Sequence, residues 1–473
     1  MTFNYSLGAR AWLLAGCLLA GALAAGCRRA ADAVIGGAPL QPAAGVVPVR
    51  VARTAAGSYA LLRAGRPYLI KGAAGVQHFD LIRAAGGNSV RIYTAQYADV
   101  LLDAAQGQGL TVMLGLWMKP PYEKFDYYDP QAVAAQQREV YRQVQRYKNH
   151  PALLMWNLGN ELDNHARDFK VYQIVNETAR MIHQLDPNHP ITTTLTDGVD
   201  FLPAIAHLCP EIDVLTVNAF NTLAVLPDRL ARAGWTGPYV VGEFGCQGWW
   251  EVPETGWGAP LDQSGSAKAE FMARGYRAAV AGQCGRCLGA YALYWGNRFE
   301  QTGMWLSMFA PGGEKTPMVD MIQRLWSGRG PANRAPDVGT VRLGGRLDLD
   351  NVALAPGAEA AAAVSAVDPD GDALRARWAV TRDVDEFHVL PQNRTAPEAI
   401  AGAVRAGPGL TALVRAPAQR GAYRLLVDVY DGQGSVTSDS FPFFVGTPDQ
   451  PSKGVHMPEN GHPHGPAKSP PKN

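Results

Sequence analysis

A chain of 473 residues is too long for one ordinary domain, although a single barrel of about 250 residues could lie within it. Hydrophobic residues make up 47% of the chain and charged residues 18%, which is typical of a globular protein with a large core. Because the net charge is +1 and there is no basic stripe, we expect no nucleic-acid partner.

The N-terminus differs in kind from the rest of the chain. Arg10 precedes the apolar run AWLLAGCLLAGALAAGC, which is too short and too rich in small residues for a membrane span and is typical of a secretory signal. Its end, LAAGC, resembles the lipobox of bacterial lipoproteins, which implies that Cys27 is lipidated. Ala24 departs from that motif, and LAGC ending at Cys17 matches it better but comes after too short an apolar run.

We therefore expect residues 1–27 to be a lipoprotein-type signal peptide and residues 28–66 to be a linker and lead-in. The protein is then exported to the periplasm or the cell surface and anchored by its lipid to a bacterial membrane. A soluble secreted protein is the alternative.

From residue 67 to residue 328, short apolar runs alternate with longer amphipathic segments, the pattern of repeated βα units. The strand candidates are YLIKG, SVRIY, TVMLGLW, ALLMWN, ITTTL, VLTVN, YVVGE and AYALYW. Eight strands in this length predict an α/β fold, a (β/α)8 TIM barrel. A doubly wound open sheet is the competing topology, but no glycine-rich phosphate loop follows the first strand.

One helix can be predicted in detail between the third and fourth strands. Asp129 is the expected N-cap and Pro130 the first helical residue, and the sequence NHP after the helix ends it. The apolar positions on one face are Val133, Val140, Val144 and Tyr147.

Four cysteines in the predicted barrel raise the question of redox chemistry. In an exported protein, Cys209, Cys246, Cys284 and Cys287 can form stable disulfides. CGRC at Cys284 to Cys287 has the spacing of a redox or zinc motif, but no second CxxC accompanies it. We favour a structural disulfide or plain buried thiols, with the pairing left open.

After SGRGPANRAP the pattern changes to period-two runs separated by turns, which predicts a small all-β sandwich over residues 338–446. Its DPDGD segment, Asp368 to Asp372, resembles the turn of cadherin-like and Ig-like domains, where aspartates can bind calcium. A carboxylate-rich hairpin turn is the interpretation we favour. Residues 447–473 are rich in Pro, Gly, Lys and His and are expected to be a disordered tail.

Catalytic groups of (β/α)8 enzymes come from the C-terminal ends of the strands. In this sequence the strand ends offer Arg91, Trp117, Asn160, Glu161, Asn218, Glu243 and Trp295. Two glutamates at one barrel mouth, after the fourth strand and on the seventh, supply the acid and the carboxylate that glycosidic bond cleavage needs. Taken singly, Glu161 could be a helix-start carboxylate, Glu243 a surface residue, Arg91 a structural ion pair and the tryptophans core residues.

The segments NHPALLMWNLGNE and PYVVGEFG resemble the acid/base and nucleophile strands of the glycoside hydrolase family 2 catalytic barrel. LDPNHPITTTL and VLTVNAF match the intervening segments in the same order. The resemblance implies the double displacement of the retaining clan A glycosidases, with Glu161 as acid/base and Glu243 as nucleophile. It also implies that Asn160 holds the sugar 2-hydroxyl, that Arg91 lies near the nucleophile and that Trp295 is a sugar platform, with no metal or organic cofactor.

This sequence departs from that family at two points. Members of the family carry β-sandwich domains ahead of the barrel, whereas only about forty residues separate Cys27 from the first strand here. The clan also commonly places a Tyr or His after the sixth strand to hydrogen-bond the nucleophile, where this chain has Ala219 and Phe220. Tyr93 or Tyr97 would have to replace that contact.

The loops after the third and seventh strands are rich in aromatic residues, which suggests an extended saccharide cleft or, alternatively, packing of the loops. These residues are Tyr122, Tyr127, Trp249, Trp250 and Trp257. Trp117 and Asn218 are further substrate-binding candidates. We expect a retaining glycosidase acting on a β-linked oligo- or polysaccharide. The rivals are a transglycosylase on a cell-envelope or exopolysaccharide glycan, a non-catalytic carbohydrate-binding lipoprotein, and an adhesin in which the sandwich binds and the barrel is a scaffold.

Overall fold

A computed structural model of the protein describes residues 45–448, apart from residues 56, 165, 167, 200, 284 and 385–394 and the side chain of Tyr122. The predicted signal peptide with Cys27, residues 28–44 of the predicted lead-in, and the tail from residue 449 lie outside the described residues. So does Cys284.

Eight parallel strands form a closed barrel, which confirms the predicted fold class. They are β4 (Ile70–Ala74), β5 (Ser89–Ile92), β6 (Thr111–Leu116), β7 (Leu153–Asn160), β8 (Ile191–Leu195), β9 (Val214–Asn218), β10 (Tyr239–Phe244) and β11 (Cys287–Ala292). The barrel closes where β11 pairs with β4. Nearly every residue of these strands is buried, because the outer faces lie under helices and the inner faces fill the barrel.

Helices connect these strands and cover the barrel. They are α1 (Phe79–Ala84), α2 (Ala98–Gly107), α3 (Pro130–Tyr147), α4 (Lys170–Leu185), α5 (Leu202–Leu208), α6 (Leu226–Arg232), α7 (Gly265–Tyr276) and α8 (Pro317–Ser327). In α3 the Asp129 side chain accepts a hydrogen bond from the Gln131 backbone N–H at 2.8 Å, so the predicted N-cap is confirmed. The four apolar positions predicted to share one face are all buried.

The lead-in segment, expected to be a linker, contains a small antiparallel sheet. Its strands are β1 (Val49–Arg53), β2 (Tyr59–Arg63) and β3 (Arg66–Pro67). The Val49 N–H donates to the Asn188 carbonyl at 2.8 Å, and the Tyr59 N–H donates to the Gly285 carbonyl at 2.6 Å. Asn188 and Gly285 precede barrel strands, so this sheet packs on the N-terminal end of the barrel, opposite the expected site.

Two four-stranded sheets follow the barrel and enclose a second core, which confirms the all-β sandwich. One sheet has the order β12-β14-β17-β16 and the other the order β13-β19-β18-β15. The strands are β12 (Asp337–Leu343), β13 (Ala353–Leu354), β14 (Glu359–Val367), β15 (Arg375–Arg382), β16 (Val404–Ala406), β17 (Thr411–Arg415), β18 (Gly421–Tyr430) and β19 (Val436–Val445). In β14 buried and exposed residues alternate, as expected of a sheet with one solvated face.

The sandwich packs directly against the barrel. Arg424, whose side chain is 1% exposed, donates to the Asp383 carboxylate at 2.8 Å within the sandwich and to the Pro260 carbonyl of the barrel at 2.9 Å. Gln301, in the loop after β11, donates to Asp383 at 3.1 Å. Asp383 therefore joins the sandwich to a loop at the barrel mouth.

The cysteines within the described residues are buried thiols: Cys209, Cys246 and Cys287 are all free. The Cys246 thiol donates to the Trp305 carbonyl at 3.2 Å. Among the described residues, none of the helices combines the length and apolar character that crossing a membrane requires.

Candidate active site

The guanidinium of Arg91 joins four side chains at the C-terminal end of the barrel. Arg91 lies on β5 with a fully buried side chain. Its Nη1 donates to Asn218 Oδ1 at 2.9 Å and to Glu243 Oε1 at 3.0 Å. Its Nη2 donates to Asn160 Oδ1 at 2.6 Å and to Thr194 Oγ1 at 3.1 Å. One cation on β5 thus holds groups from four other strands, β7 to β10, at one point.

Glu243 has two donors on the same carboxylate oxygen. Besides Arg91, the Tyr93 hydroxyl donates to Glu243 Oε1 at 2.9 Å. Burial, and then the charge of Glu243, raises the pKa of Tyr93 well above its ordinary value, so the phenol stays protonated and remains a donor. Tyr93 therefore makes the contact for which the sequence offered Tyr93 or Tyr97, whereas the Tyr97 side chain is largely exposed.

Glu161 is linked to the same network through a neutral amide. Asn218 Nδ2 donates to Glu161 Oε1 at 2.8 Å, while Asn218 Oδ1 accepts from Arg91. The pKa of the Glu161 carboxyl is raised to about 8, first because burial disfavours its charged form and then because Glu243 is negatively charged. The Asn218 hydrogen bond acts in the opposite direction. Glu161 is therefore mostly protonated at neutral pH.

The backbone turns sharply where β7 delivers these groups. Gly159 has φ +71° and Glu161 has φ +51°, both in the left-handed region. A Cβ on Gly159 would lie 2.6 Å from the Leu162 side chain, so glycine is required there. The Glu161 N–H donates to the Thr194 carbonyl at 2.9 Å, which ties the turn to the end of β8. A non-glycine residue in this conformation is strained, and such strain is common at functional sites.

Gly242, the residue before Glu243, makes room for the Arg91 network. A Cβ at this position would lie 2.5 Å from Thr216 Cγ2, 2.7 Å from Asn218 Oδ1 and 2.9 Å from Arg91 Nη1. Any larger side chain would displace the guanidinium or the amide. The glycine of the YVVGE strand thus leaves the space that the Arg91 guanidinium and the Asn218 amide occupy.

Most of the aromatic residues predicted to bind sugar have buried side chains. Trp295, predicted as a sugar platform, is fully buried, with its ring centroid 5.3 Å from Phe309 and 6.0 Å from Trp326, so no face is open to a sugar. Trp249, Trp250 and Tyr127 are also buried, and the Trp257 ring centroid lies 5.7 Å from that of Phe444 in the sandwich. These large rings therefore hold the loops against the rest of the protein and are not available to stack on a sugar. Trp117 is partly buried at the end of β6.

Two site residues were not predicted from the sequence. Thr194 lies near the end of the ITTTL strand, and only the register of β8 beside β7 shows that it faces Arg91. Arg298 follows the eighth strand; its guanidinium lies 5.0 Å from the Tyr294 ring centroid and is within electrostatic range of Glu243. A charged residue shortly after a strand end was the signal that could have singled out Arg298.

Among the described residues, one group of three acidic side chains is close enough to share a metal ion. It is formed by Asp368, Asp372 and Asp431 of the sandwich, with ligand atoms within 4.8 Å of one another. Asp368 accepts hydrogen bonds from the N–H groups of Asp370 and Asp372, as in a tight turn. This cluster lies in the sandwich and does not belong to the barrel site.

The chain is similar to known proteins over part of its length. Residues 75–247 match the family model described as "Glycosyl hydrolases family 2, TIM barrel domain". The chain is similar to β-glucuronidase of Chlorocebus aethiops, with 26% identity over 150 residues, 31% of this chain and 21% of that protein. It is similar to β-glucuronidase of Paenibacillus borealis, with 29% identity over 158 residues, 31% of this chain and 25% of that protein.

The matched region thus spans only about a fifth to a quarter of the length of these curated relatives. Among solved structures, a β-D-glucuronidase of Dictyoglomus thermophilum is similar over 60% of this chain and 54% of that chain, with a TM-score of 0.47 and 18% identity. From residue 75 to residue 247 the chain is thus similar to the TIM barrel domain of glycosyl hydrolase family 2, and this stretch contains six of the eight barrel strands in the structure.

Proposed function

We propose that the protein is a retaining β-glycosidase in which Glu161 is the general acid/base and Glu243 the nucleophile. The observation that carries this proposal is the difference between two carboxyls joined by one hydrogen-bond network. Glu161 has a pKa raised to about 8, while Glu243 receives two hydrogen bonds, one of them from a buried guanidinium. A protonated acid and an ionised carboxylate in one site are what glycosidic cleavage requires.

In the first step the Glu161 proton moves to the leaving-group oxygen while a Glu243 oxygen bonds to the anomeric carbon and the glycosidic bond breaks. In the second step Glu161, now ionised, takes a proton from water, whose oxygen displaces Glu243. Once Glu243 is esterified its negative charge is gone, and one cause of the raised Glu161 pKa goes with it. The same carboxyl is thereby prepared to act as the base that the second step needs.

Arg91 positions the reacting groups and does not take or give protons. Its four hydrogen bonds hold Asn160 beside Glu243, where the amide can bind the sugar 2-hydroxyl. A hydrogen bond to this hydroxyl strengthens as the transition state forms. Asn218 orients Glu161 in the same way.

For the sugar itself, we propose a β-D-uronide as the first substrate to test. The curated relatives are named β-glucuronidases. Arg298, about half exposed, lies near Glu243 and pairs with Glu300. A guanidinium matches the geometry of a carboxylate, so this side chain can exchange Glu300 for a sugar carboxylate.

The test is a panel of 4-nitrophenyl β-glycosides, with the β-D-glucuronide, β-D-glucoside, β-D-galactoside and β-D-mannoside in parallel. A 2-deoxy-2-fluoro glycoside of the accepted sugar should then label the protein, and mass spectrometry should find the label on the peptide that contains Glu243. Glu243→Gln should abolish labelling and lower turnover by at least about a thousandfold while leaving the melting temperature close to that of the wild type.

Other outcomes favour the other functions. Turnover by Glu243→Gln would overturn the assignment. A folded wild type that binds the sugars without turnover would favour a carbohydrate-binding lipoprotein, and release of transfer products alone would favour a transglycosylase.

We also propose that the N-terminus exports the protein and anchors it by a lipid on Cys27. The apolar run after Arg10 and the LAAGC motif support this. Expression of the full chain in a bacterium with labelled palmitate should give a labelled protein. Cys27→Ala should abolish the label and Cys17→Ala should not; the reverse pattern would move the site to Cys17.

A further inference from the structure

Three neighbouring loops at the barrel mouth are joined to one another on the side of Glu161. The Tyr128 hydroxyl, after β6, donates to Asp168 Oδ2, after β7, at 3.0 Å. Phe169 packs edge-on against Phe201, after β8, with ring centroids 5.2 Å apart. Asp168 Oδ1 also accepts from the Lys170 N–H at 2.8 Å, which fixes the start of α4. The loops after the third, fourth and fifth barrel strands thus form one connected rim.

This rim exposes large aromatic rings. Tyr128 is 66% exposed and Phe169 is 41% exposed, whereas Trp249 and Trp250, in the loop after the seventh strand, are buried. The Lys170 ammonium lies 5.9 Å from the centroid of the Tyr128 ring. Exposed rings beside charged donors and acceptors suit a sugar, because the apolar face of a pyranose stacks on a ring while its hydroxyls form hydrogen bonds. The pairing with Asp168 holds Tyr128 in place before any ligand arrives.

The position of this rim determines which part of a substrate it faces. Glu161 begins the loop that carries Asp168 and Phe169, and a general acid lies beside the leaving-group oxygen. Glu243, which bonds to the anomeric carbon, comes from β10 on the other side of the site. Side chains that extend outward from Glu161 along its own loop therefore face the leaving group.

We propose that Tyr128 and Phe169 form a subsite for a saccharide leaving group, so that the natural substrate is a β-linked glycan of several sugars. This proposal rests on the proposed glycosidase function and names the substrate class of the same site. The subsite is separate from the sugar pocket at Glu243, and it makes a sugar leaving group preferable to a small one.

The experiment compares two substrates of the same sugar. A β-glycosyl fluoride places only an atom on the leaving-group side, whereas an oligosaccharide fills it. For a glucuronide-active enzyme the probes are β-D-glucuronyl fluoride and a hyaluronan tetrasaccharide with glucuronate at its non-reducing end. For a glucoside-active enzyme they are β-D-glucosyl fluoride and cellotetraose; for any other sugar of the panel, its fluoride and its β-1,4-linked tetrasaccharide. The measured quantity is the ratio of kcat/KM for the tetrasaccharide to kcat/KM for the fluoride.

Tyr128→Ala and Phe169→Ala should each lower this ratio about tenfold, in keeping with the loss of one ring contact. Tyr128→Phe keeps the ring and should retain most of the ratio, which separates stacking from the Asp168 hydrogen bond. Tyr141→Ala is the matched control, because Tyr141 is an exposed tyrosine in the middle of α3, away from the mouth. It should change neither rate constant.

Two results would overturn the subsite, and they can be told apart from failure of the glycosidase itself. If the wild type cleaves the fluoride but not the tetrasaccharide, or if both alanine variants keep the wild-type ratio, the subsite is wrong while the glycosidase stands. If the wild type cleaves no probe and no aryl glycoside of the panel, the proposed function falls and the subsite falls with it.

Discussion

Glu161 and Glu243 lie at one barrel mouth but have different partners. Glu243 accepts from a buried guanidinium and a phenol that stays protonated, both of which stabilise a negative charge. Glu161 accepts from the neutral amide of Asn218 and is raised in pKa by burial. In the proposed mechanism, these different surroundings suit the two glutamates to two different tasks.

The raised pKa of Glu161 predicts the basic limb of the pH profile. A general acid acts only when protonated, so kcat/KM for substrates with poor leaving groups should fall as the pH rises through about 8. Steady-state kinetics with a sugar leaving group between pH 5 and pH 10 measures this limb. In Glu161→Gln the limb should vanish and the rate with a poor leaving group should drop far more than with 2,4-dinitrophenolate. A limb near pH 8 that persists in Glu161→Gln would assign it to another group.

A second prediction concerns Tyr93, which takes the place of the missing Tyr or His after the sixth strand. Tyr93→Phe removes one hydrogen bond to the charged Glu243 and should lower kcat/KM about 10- to 100-fold, the range expected for about 1.5–3 kcal/mol. Tyr97→Phe is the matched control and should stay within about twofold of wild type, since Tyr97 is exposed. If the two variants lose activity equally, the Tyr93 contact is not what supports the nucleophile.

At the scale of elements, the strands and their ends could be predicted because the signal is local. Runs such as TVMLGL and YVVGEF are apolar almost throughout, as strands buried on both faces must be, and the residues that follow them fall at the mouth by topology. The β1–β3 sheet was missed because its strands are short and carry arginines among their apolar residues.

Side-chain direction could not be predicted in the same way. Trp295 follows β11 at the same end of the barrel at which Arg91 and Glu243 lie on their strands, yet its ring is buried against Phe309 and Trp326. Whether an aromatic residue in a loop packs or faces solvent depends on contacts far away in sequence. Trp257, which meets Phe444 of the sandwich, shows this most directly.

Gly242 shows how one strand position supports the site. Gly242→Ala places a methyl group within 3 Å of Thr216, Asn218 and Arg91, and should cost about 1–3 kcal/mol in the free energy of unfolding together with most of the activity. Gly107→Ala, at the end of α2, is the control: nothing lies within 4 Å of its Cβ position, so it should be neutral or slightly stabilising. Urea denaturation and kcat/KM measure both variants. A fully active Gly242→Ala enzyme would show that Arg91 can move without loss.

At the scale of the whole molecule, the sandwich contacts a loop at the barrel mouth through Asp383. Asp383 is 6% exposed and is shared between Arg424 of the sandwich and Gln301 of the loop after the eighth barrel strand. That loop also carries Arg298, near Glu243. Neither the pairing of Arg424 with Asp383 nor its bond to the Pro260 carbonyl could be predicted, because such contacts join residues distant in sequence. The interface therefore joins the sandwich to the loop that carries Arg298.

This link predicts that a change in the sandwich affects the barrel. Arg424→Met leaves the Asp383 carboxylate buried without its guanidinium, which should lower the free energy of unfolding by about 3–5 kcal/mol. Since Gln301 shares that carboxylate, kcat/KM should also fall at temperatures where the variant is fully folded. Arg405→Ala, an exposed arginine on the edge strand β16, is the matched control and should change neither quantity appreciably. Denaturation followed by circular dichroism, with kinetics on the folded protein, gives both values. An Arg424→Met variant that is less stable but retains full kcat/KM would show that the interface holds the sandwich in place without shaping the active site.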